Sequence, residues 1–99
     1  MSPFGLDERT ITAMLCILKK YPEIKRVSIF GSRATNTFKS HSDIDLVCFD
    51  DVNESVLSSI LCDFDQSSIP YKIDFILYNK ITHPLLKQNI DLTAKPFLR

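Results

Sequence analysis

Apolar residues recur along this chain with two different periods, which divide it into predicted strands and helices. Three short stretches are alternately or continuously apolar, as strands are: residues 25–30, 43–49 and 71–77. Three stretches repeat apolar residues every three or four positions, as helices do: residues 7–20, a segment with Asp50, Asp51 and Asn53 as cap candidates, and a last segment that begins at a Thr82 cap. The connection over residues 32–42 is too short for a parallel crossover, so we predict that the first two strands are antiparallel neighbours.

Three aspartates stand in the predicted strands where a buried core requires apolar residues. Asp43 and Asp45 open the second strand, and residues two apart in a strand point to the same side, so their carboxylates lie next to each other. Asp74 lies in the third strand between Ile73 and Phe75. Two carboxylates about 5 Å apart repel by about 3 kcal/mol at an effective dielectric constant of about 20, so a core alone does not explain them.

A divalent cation would turn this repulsion into attraction. Clustered carboxylate oxygens are ligands that Mg²⁺ prefers, and Mg²⁺ commonly binds together with the phosphates of a substrate. Carboxylates with a charge of about −3 and a triphosphate of about −4 would be largely neutralised by two Mg²⁺ ions, the arrangement of two-metal catalysis. Gly31, which ends the first predicted strand, permits close backbone approach, and Ser32 offers a hydroxyl and an N–H to a phosphate.

The order and spacing of these residues resemble a known signature. Gly31-Ser32, ten intervening residues and Asp43-x-Asp45 are similar to the motif of the DNA polymerase beta-like nucleotidyltransferase superfamily. The form Gly-Ser-Arg-Ala…Ser-Asp-Ile-Asp-Leu resembles its minimal nucleotidyltransferase (MNT) branch in particular, and Asp74 falls where that family has its third metal-binding aspartate. The resemblance implies an α/β (α+β) nucleotidyltransferase fold of order αβαβαβα, with a three-stranded mixed sheet. Helices would lie mainly on one face and leave the face with the acids open.

The same resemblance implies an activity and a set of site residues. It implies transfer of AMP from ATP to a hydroxyl, with pyrophosphate released, by Asp43, Asp45 and Asp74 as ligands of two Mg²⁺ ions. Gly31, Ser32 and Arg33 would bind the nucleotide through its phosphates. Minimal members are often paired with a small helical HEPN protein in a toxin–antitoxin system, in which the nucleotidyltransferase adenylylates a tyrosine of its partner. The leading hypothesis is therefore an antitoxin that acts as a protein adenylyltransferase.

Each acidic residue also has a structural explanation, which stays open at this point. Asp43 and Asp45 could cap turns at the start of a strand, although the presence of the other motif residues disfavours this. Asp74 alone would be typical of an exposed strand residue. Ser32 could cap the turn that follows it, and this role is compatible with phosphate binding because a helix N-terminus attracts anions.

The loop before Asp43 contains further candidates with weaker signals. Arg33 is favoured over Lys39 as a phosphate ligand because it follows the Gly-Ser pair directly, but a solvated loop charge explains either residue equally well. His41 is a lone loop histidine, which is seldom a base or a metal ligand. Phe38 is more typical of local packing than of stacking on a nucleotide base.

Two other classes of function remain open from the sequence alone. The chain could be a nucleotide-binding or partner-binding subunit without turnover of its own, or a nucleotidyltransferase that modifies a small molecule. Retention of all three acids speaks against the inert subunit, because binding alone could survive the loss of one.

Composition and length bear on the chain's partners, domain count and cellular location more than on its reaction. Twelve acidic and twelve basic side chains cancel, so the chain shows no sign of broad nucleic-acid binding. The length of 99 residues predicts one domain, 1–99, which the resemblance implies is a nucleotidyltransferase domain. We expect no signal peptide or membrane span. Cys16, Cys48 and Cys62 are isolated within apolar patterns, so we expect reduced, buried thiols and a cytoplasmic location.

Overall fold

The structure, a computed structural model, describes residues 3–39 and 42–98. Its helices are α1 (Glu8–Lys19), α2 (Ser32–Thr35), α3 (Glu54–Asp65) and α4 (Pro84–Thr93), and its strands are β1 (Val27–Phe30), β2 (Ile44–Cys48), β3 (Ile73–Leu77) and β4 (Lys95–Leu98). Short 3₁₀ turns cover Pro3–Gly5 and Tyr78–Lys80. None of the helices within the described ranges has both the length and the apolar character needed to cross a membrane.

The strands form one mixed sheet in the order β3-β2-β1-β4. β1 pairs antiparallel with β2, as the short connection predicted, and β2 pairs parallel with β3. The expectation of three strands is wrong, because β4 adds to the free edge of β1 in an antiparallel register interrupted by a bulge. This strand includes Pro96, a residue found mainly in edge strands, and its four residues show no alternation from which a strand could be predicted.

The two faces of the sheet are covered by different helices. On the first face α1 and α3 bury a core that includes Met14, Leu18, Ile29, Leu46 and Ile60. On the second face Ile90 of α4 packs against Phe30 and Val47. Asp45 alternates with Leu46 along β2 and therefore belongs to the second face, as does Asp74 on β3. Helices thus lie mainly on the first face, as expected, but α4 partly covers the face with the acids, which was expected to be open.

Helix starts agree with the sequence except in α4. Asp7 caps α1 and Asn53 caps α3, each through its side-chain oxygen. The last helix is capped by His83, not by Thr82, because Pro84 occupies the first helical position. Proline favours that position since its fixed φ suits a helix and its missing N–H has no partner there. The expectation that all three cysteines are buried was also wrong, because Cys48 is buried while Cys16 and Cys62 are exposed.

Candidate active site

The parallel pairing of β2 with β3 brings two of the predicted acids together. Asp45 and Asp74 are register partners, so their side chains project side by side from the second face of the sheet. Both are partly buried, and both line a cavity of about 440 Å³ that is also bordered by Asn89 of α4. The predicted convergence of these two carboxylates is therefore present in the fold.

The environment of Asp45 disfavours its negative charge. Burial, followed by the nearby carboxylates of Asp74 and Asp43, raises the pKa of Asp45 from 3.8 to about 6. Lys72 opposes this rise only weakly, as the last of the contributing groups. A bound cation would remove the repulsion that raises the pKa, so two adjacent carboxylates in this state are suited to holding Mg²⁺.

Asp43 lies at the margin of this pair. It immediately precedes β2, it is exposed, and its charge still acts on Asp45. Within residues 3–39 and 42–98, no three side chains of the metal-ligating types lie close enough together to form a ligand group. The fold thus pairs Asp45 with Asp74, and the position of Asp43 as a third ligand stays a prediction.

The turn after β1 lies directly against Asp45. Phe30, the last residue of β1, is the register partner of Asp45. Gly31 follows with φ 76° and ψ −148°, and a β-carbon on it would lie 3.0 Å from Asp45 Oδ2. Only glycine adopts this backbone conformation readily. Ser32 then begins α2, so the Gly31-Ser32 pair of the motif borders the carboxylates at the edge of the site.

The side chain of Arg33 is turned away into the protein interior. It is 1% exposed, and its guanidinium donates to the carbonyl of Ser42 at 2.9 Å and 3.2 Å and to the carbonyl of Phe4 at 3.0 Å. The guanidinium also lies 4.9 Å from the ring centre of Phe38 and 4.7 Å from that of Tyr71. These contacts give Arg33 a structural role, and Arg33 as a phosphate ligand stays a prediction.

Two loop candidates, Phe38 and Lys39, are not among the residues that line the cavity of the acidic pair. Phe38 packs over Gly5 and against Arg33, which agrees with its reading as a packing residue. Lys39 is exposed, and its backbone N–H donates to the side chain of Ser42 at 2.7 Å. His41 lies outside the described residues, so its role remains as open as the sequence left it.

Two residues of α4 belong to the site although the sequence did not indicate them. Thr93 Oγ1 accepts the backbone N–H of Gly31 at 3.1 Å and donates to the carbonyl of Asn89 at 2.7 Å. Asn89 itself borders the cavity of the acidic pair. A threonine 62 positions from the glycine that it contacts carries no local signal, so the bond becomes visible only in the folded chain.

An acidic pair on adjacent strands, beside a glycine turn that ends the preceding strand, defines a site suited to metal-assisted transfer from a phosphorylated substrate. Comparison with protein families gives the same class. The chain belongs to the polymerase beta nucleotidyltransferase family, whose model matches residues 14–98. It is accordingly a nucleotidyltransferase.

Two proteins of Methanocaldococcus jannaschii are similar to the chain, and both carry the name "putative protein adenylyltransferase". MJ0435 is 40% identical over 68 residues, which cover 68% of this chain and 72% of that protein. MJ0128 is 33% identical over 76 residues, which cover 76% of this chain and 78% of that protein. The family within the nucleotidyltransferases is therefore that of the protein adenylyltransferases.

Solved structures share the fold at low sequence identity. A crystal structure of a toxin–antitoxin complex with AMP-PNP matches with a TM-score of 0.68 at 17% identity, over 88% of this chain and 71% of that chain. A structure of a tri-AMPylated Shewanella oneidensis HEPN toxin in complex with an MNT antitoxin matches with a TM-score of 0.65 at 14% identity, over 93% and 71%. At this identity the match establishes the fold alone.

Proposed function

We propose that this chain transfers AMP from ATP to a tyrosine hydroxyl of a HEPN-type partner protein, with Mg²⁺ as its cofactor. The observation that supports this most directly is the pairing of Asp45 with Asp74 beside the Gly31 turn. The pair supplies hard oxygen ligands, and the turn supplies a place where phosphate oxygens approach the backbone closely. The proposed domain is the nucleotidyltransferase unit predicted for residues 1–99.

Asp45 and Asp74 would hold the Mg²⁺, and exposed Asp43 would add a carboxylate at the edge of the same site. Burial, and then the neighbouring carboxylates of Asp74 and Asp43, raise the pKa of Asp45 to about 6, and a bound cation would offset both effects. When bound, Mg²⁺ would neutralise the triphosphate and lower the pKa of the acceptor hydroxyl. Two ions remain the predicted number.

The chain's own groups position the reactants. Gly31 and Ser32 would hold the outer phosphates of ATP, with the Ser32 hydroxyl as a donor, while Thr93 fixes the Gly31 amide. The acceptor oxygen forms a bond to the α-phosphorus as the bond to the β-phosphate oxygen breaks, and pyrophosphate leaves. Asp74, which faces the same cavity as Asp45, would take the proton of the acceptor hydroxyl.

The choice of acceptor rests on the relatives. The names of the two similar archaeal proteins specify a protein as the acceptor, and one structural neighbour is an MNT antitoxin bound to an AMPylated HEPN toxin. These properties belong to those proteins. They support a small helical HEPN-type partner for this chain, and with it the role of an antitoxin.

The test combines the chain with Mg²⁺, ATP labelled at the α-phosphate and a HEPN-type protein from the same genome. We expect label on the partner, and a loss of at least about 100-fold in the rate for Asp45→Asn and for Asp74→Asn, since groups that act on the reacting atoms contribute on this scale. Glu23→Gln, which removes an exposed carboxylate, is the matched control and should keep the full rate. Equal labelling by all variants would overturn the assignment.

The exposure of Asp43 favours a second candidate, a nucleotide-binding subunit without turnover. The described residues form an acidic pair and no three-ligand group, and a pair suffices for Mg²⁺ that arrives with a nucleotide. The same assay separates the two functions. Saturable Mg·ATP binding that Asp45→Asn abolishes, without label on any protein or small hydroxyl acceptor, would support the inert subunit.

A further inference from the structure

The outer edge of β3 is free within residues 3–39 and 42–98, where β3 pairs with β2 alone. The N–H of Ile44 donates to the carbonyl of Lys72 at 2.9 Å, which sets the alternation of the parallel ladder. Ile73, Phe75 and Leu77 therefore direct their backbone N–H and C=O groups away from β2. This edge can accept another strand through main-chain hydrogen bonds.

A groove follows this edge from the acidic pair to the far end of the strand. The cavity that contains Asp45 and Asp74 also contains Phe75, Ile76 and Leu86. A second cavity, of about 360 Å³, shares those three residues and continues to Lys80 and His83. Because the lining includes side chains from both faces of the sheet, the two cavities run along the strand edge, and the cavity of the acidic pair also extends over the second face to Phe30.

The walls and ends of the groove specify what could occupy it. Leu57 and Leu61 of α3 line one wall, and Ile81 and Leu86 line the other, so both walls are largely apolar. Leu61 is 40% exposed, which leaves apolar surface available beside the edge. The carboxylates lie at one end, and the exposed Lys80 lies at the other. A strand advances about 3.3 Å per residue, so an extended segment of about five residues covers this length.

We propose that an extended segment of the acceptor protein, outside its helices, binds as a strand added to the edge of β3, with its hydroxyl residue at the acidic end and an acidic residue near Lys80. This rests on the proposed function and deepens it by specifying how a protein acceptor is recognised. The apolar walls and the unpaired backbone fit a peptide better than a small molecule. An added strand forms hydrogen bonds with the free backbone groups and packs its side chains against the apolar walls at the same time.

The alternation of the added strand fixes the placement of its side chains. Asp74 is on the second face, so the acceptor hydroxyl points to that face and the residues two positions away point toward Leu86. The intervening residues point to the first face, toward Leu57 and Leu61 of α3. The preferred segment thus has apolar or β-branched neighbours on both sides of its hydroxyl residue.

Binding is tested first, because it does not depend on transfer. The probes are peptides of about seven residues that contain one tyrosine, apolar flanking residues and a glutamate about four positions away. The full chain is titrated with them in the presence of Mg²⁺ and AMP-PNP while its backbone amide resonances are followed. We expect the largest changes at Ile73, Phe75 and Leu77, which direct their amides to the free edge.

Backbone N-methylation of the peptide then tests strand pairing. A methyl group on alternate residues that face β3 removes a donor and blocks approach, whereas a methyl group on the other set points to solvent. We expect one set of methylated peptides to bind at least about ten-fold more weakly and the other to bind nearly as well as the parent. A pocket that recognises side chains alone would show no such alternation.

A charge exchange tests the far end of the groove. Lys80→Glu should weaken binding of the glutamate peptide by about five-fold and strengthen binding of a matched peptide with lysine in its place, as expected for an exposed charge pair. Lys95→Glu is the control, since Lys95 is an exposed lysine on the opposite edge strand. Lys80 is outside the acidic pair, so the unchanged chain, Lys80→Glu and Lys95→Glu should bind Mg·ATP with the same affinity.

The outcomes separate this proposal from the proposed function. Alternating N-methyl sensitivity without transfer of label would keep the groove and overturn the transferase. Transfer of label to peptides regardless of N-methylation and of Lys80→Glu would overturn the groove and keep the transferase. Absence of both binding and transfer would overturn both. Protection of the Ile73, Phe75 and Leu77 amides in the peptide-free chain, together with a doubled mass, would assign the edge to a second copy and overturn the proposal.

Discussion

Asp45 Oδ2 lies so close to Gly31 that a β-carbon on Gly31 would be only 3.0 Å away from it. Gly31 also has φ 76° and ψ −148°, a conformation that costs other residues about 1–3 kcal/mol. We expect Gly31→Ala to lower the free energy of unfolding by that amount and to displace the Asp45 carboxylate, so that Mg·ATP binding is lost. Urea denaturation and nucleotide titration measure the two effects.

Ser32→Ala is the control for this prediction, because Ser32 is the first residue of α2 and needs no positive φ. Its free energy of unfolding should stay within about 0.5 kcal/mol of the unchanged chain. Retention of full stability and nucleotide affinity by Gly31→Ala would show that the close approach of the carboxylate to the turn is unimportant.

The raised pKa of Asp45 predicts that stability depends on pH in a particular direction. Its pKa is about 6 in the folded chain and 3.8 as the ordinary value, so the folded state holds the proton more tightly. The stabilising contribution is complete below pH 3.8 and is lost as the pH rises through about 6. Asp45→Asn cannot ionise, so it should be the more stable chain at pH 8 and lose this advantage toward pH 4.

A shift of about two pKa units corresponds to about 3 kcal/mol, and partial exposure of the carboxyl reduces this to about 1–2 kcal/mol. Thermal unfolding of Asp45→Asn and the unchanged chain between pH 4 and pH 8 measures the difference, with Glu23→Gln as the control. Saturating Mg²⁺ with a nucleotide should stabilise the unchanged chain and not Asp45→Asn. A lower stability of Asp45→Asn at pH 8 would contradict the electrostatic account of the site.

The parts of the fold that local pattern determines were predicted from the sequence. Apolar runs predicted the strands that carry Asp45 and Asp74, and the short connection after Gly31 predicted antiparallel pairing, as found. The β2–β3 register, which no local pattern gives, places the two aspartates side by side. The edge strand at Lys95–Leu98 could not be predicted in this way. It contains Pro96, has no alternation, and exists because β1 offers it a free edge.

Contacts between distant parts of the chain explain what else the sequence left out. Thr93 reaches Gly31 through the packing of α4 on the second face, and no spacing rule relates the two residues. Arg33 follows the Gly-Ser pair in sequence, which suggested a phosphate ligand, but α2 directs its side chain inward to the carbonyls of Phe4 and Ser42. Its position directly after the Gly-Ser pair therefore did not indicate the direction of the Arg33 side chain.

The buried position of Arg33 yields a prediction that separates structure from ligand binding. Arg33→Lys keeps the charge but cannot reproduce the hydrogen bonds to two carbonyls or the stacking on two rings. We expect a loss of about 2–4 kcal/mol in the free energy of unfolding, as for other buried, hydrogen-bonded charges. Arg9→Lys, on the exposed side of α1, should cost less than about 0.5 kcal/mol.

Mg·ATP affinity measured at low temperature, where the Arg33→Lys chain remains folded, completes this test. If Arg33 is structural, the affinity should change by less than about two-fold, whereas the loss of a direct phosphate contact would weaken it by about ten-fold or more. A loss of affinity of about ten-fold or more would show that Arg33 contacts the nucleotide.

Thr93 is predicted to act through the Gly31 turn as a positioning residue. Thr93→Val preserves the shape of the side chain but leaves the Gly31 N–H without its acceptor, at a cost of about 1–3 kcal/mol in a partly buried place. Thr93→Ser retains the hydroxyl and should behave like the unchanged chain.

Rates of label transfer at saturating and limiting ATP distinguish the two variants. We expect the turnover rate of Thr93→Val to fall by about ten-fold, because a freed turn aligns the phosphates less well. Loss of stability with unchanged kinetics in the folded chain would leave Thr93 with a purely structural role. A defect in Thr93→Ser without one in Thr93→Val would show that the methyl group, not the hydroxyl, is what matters.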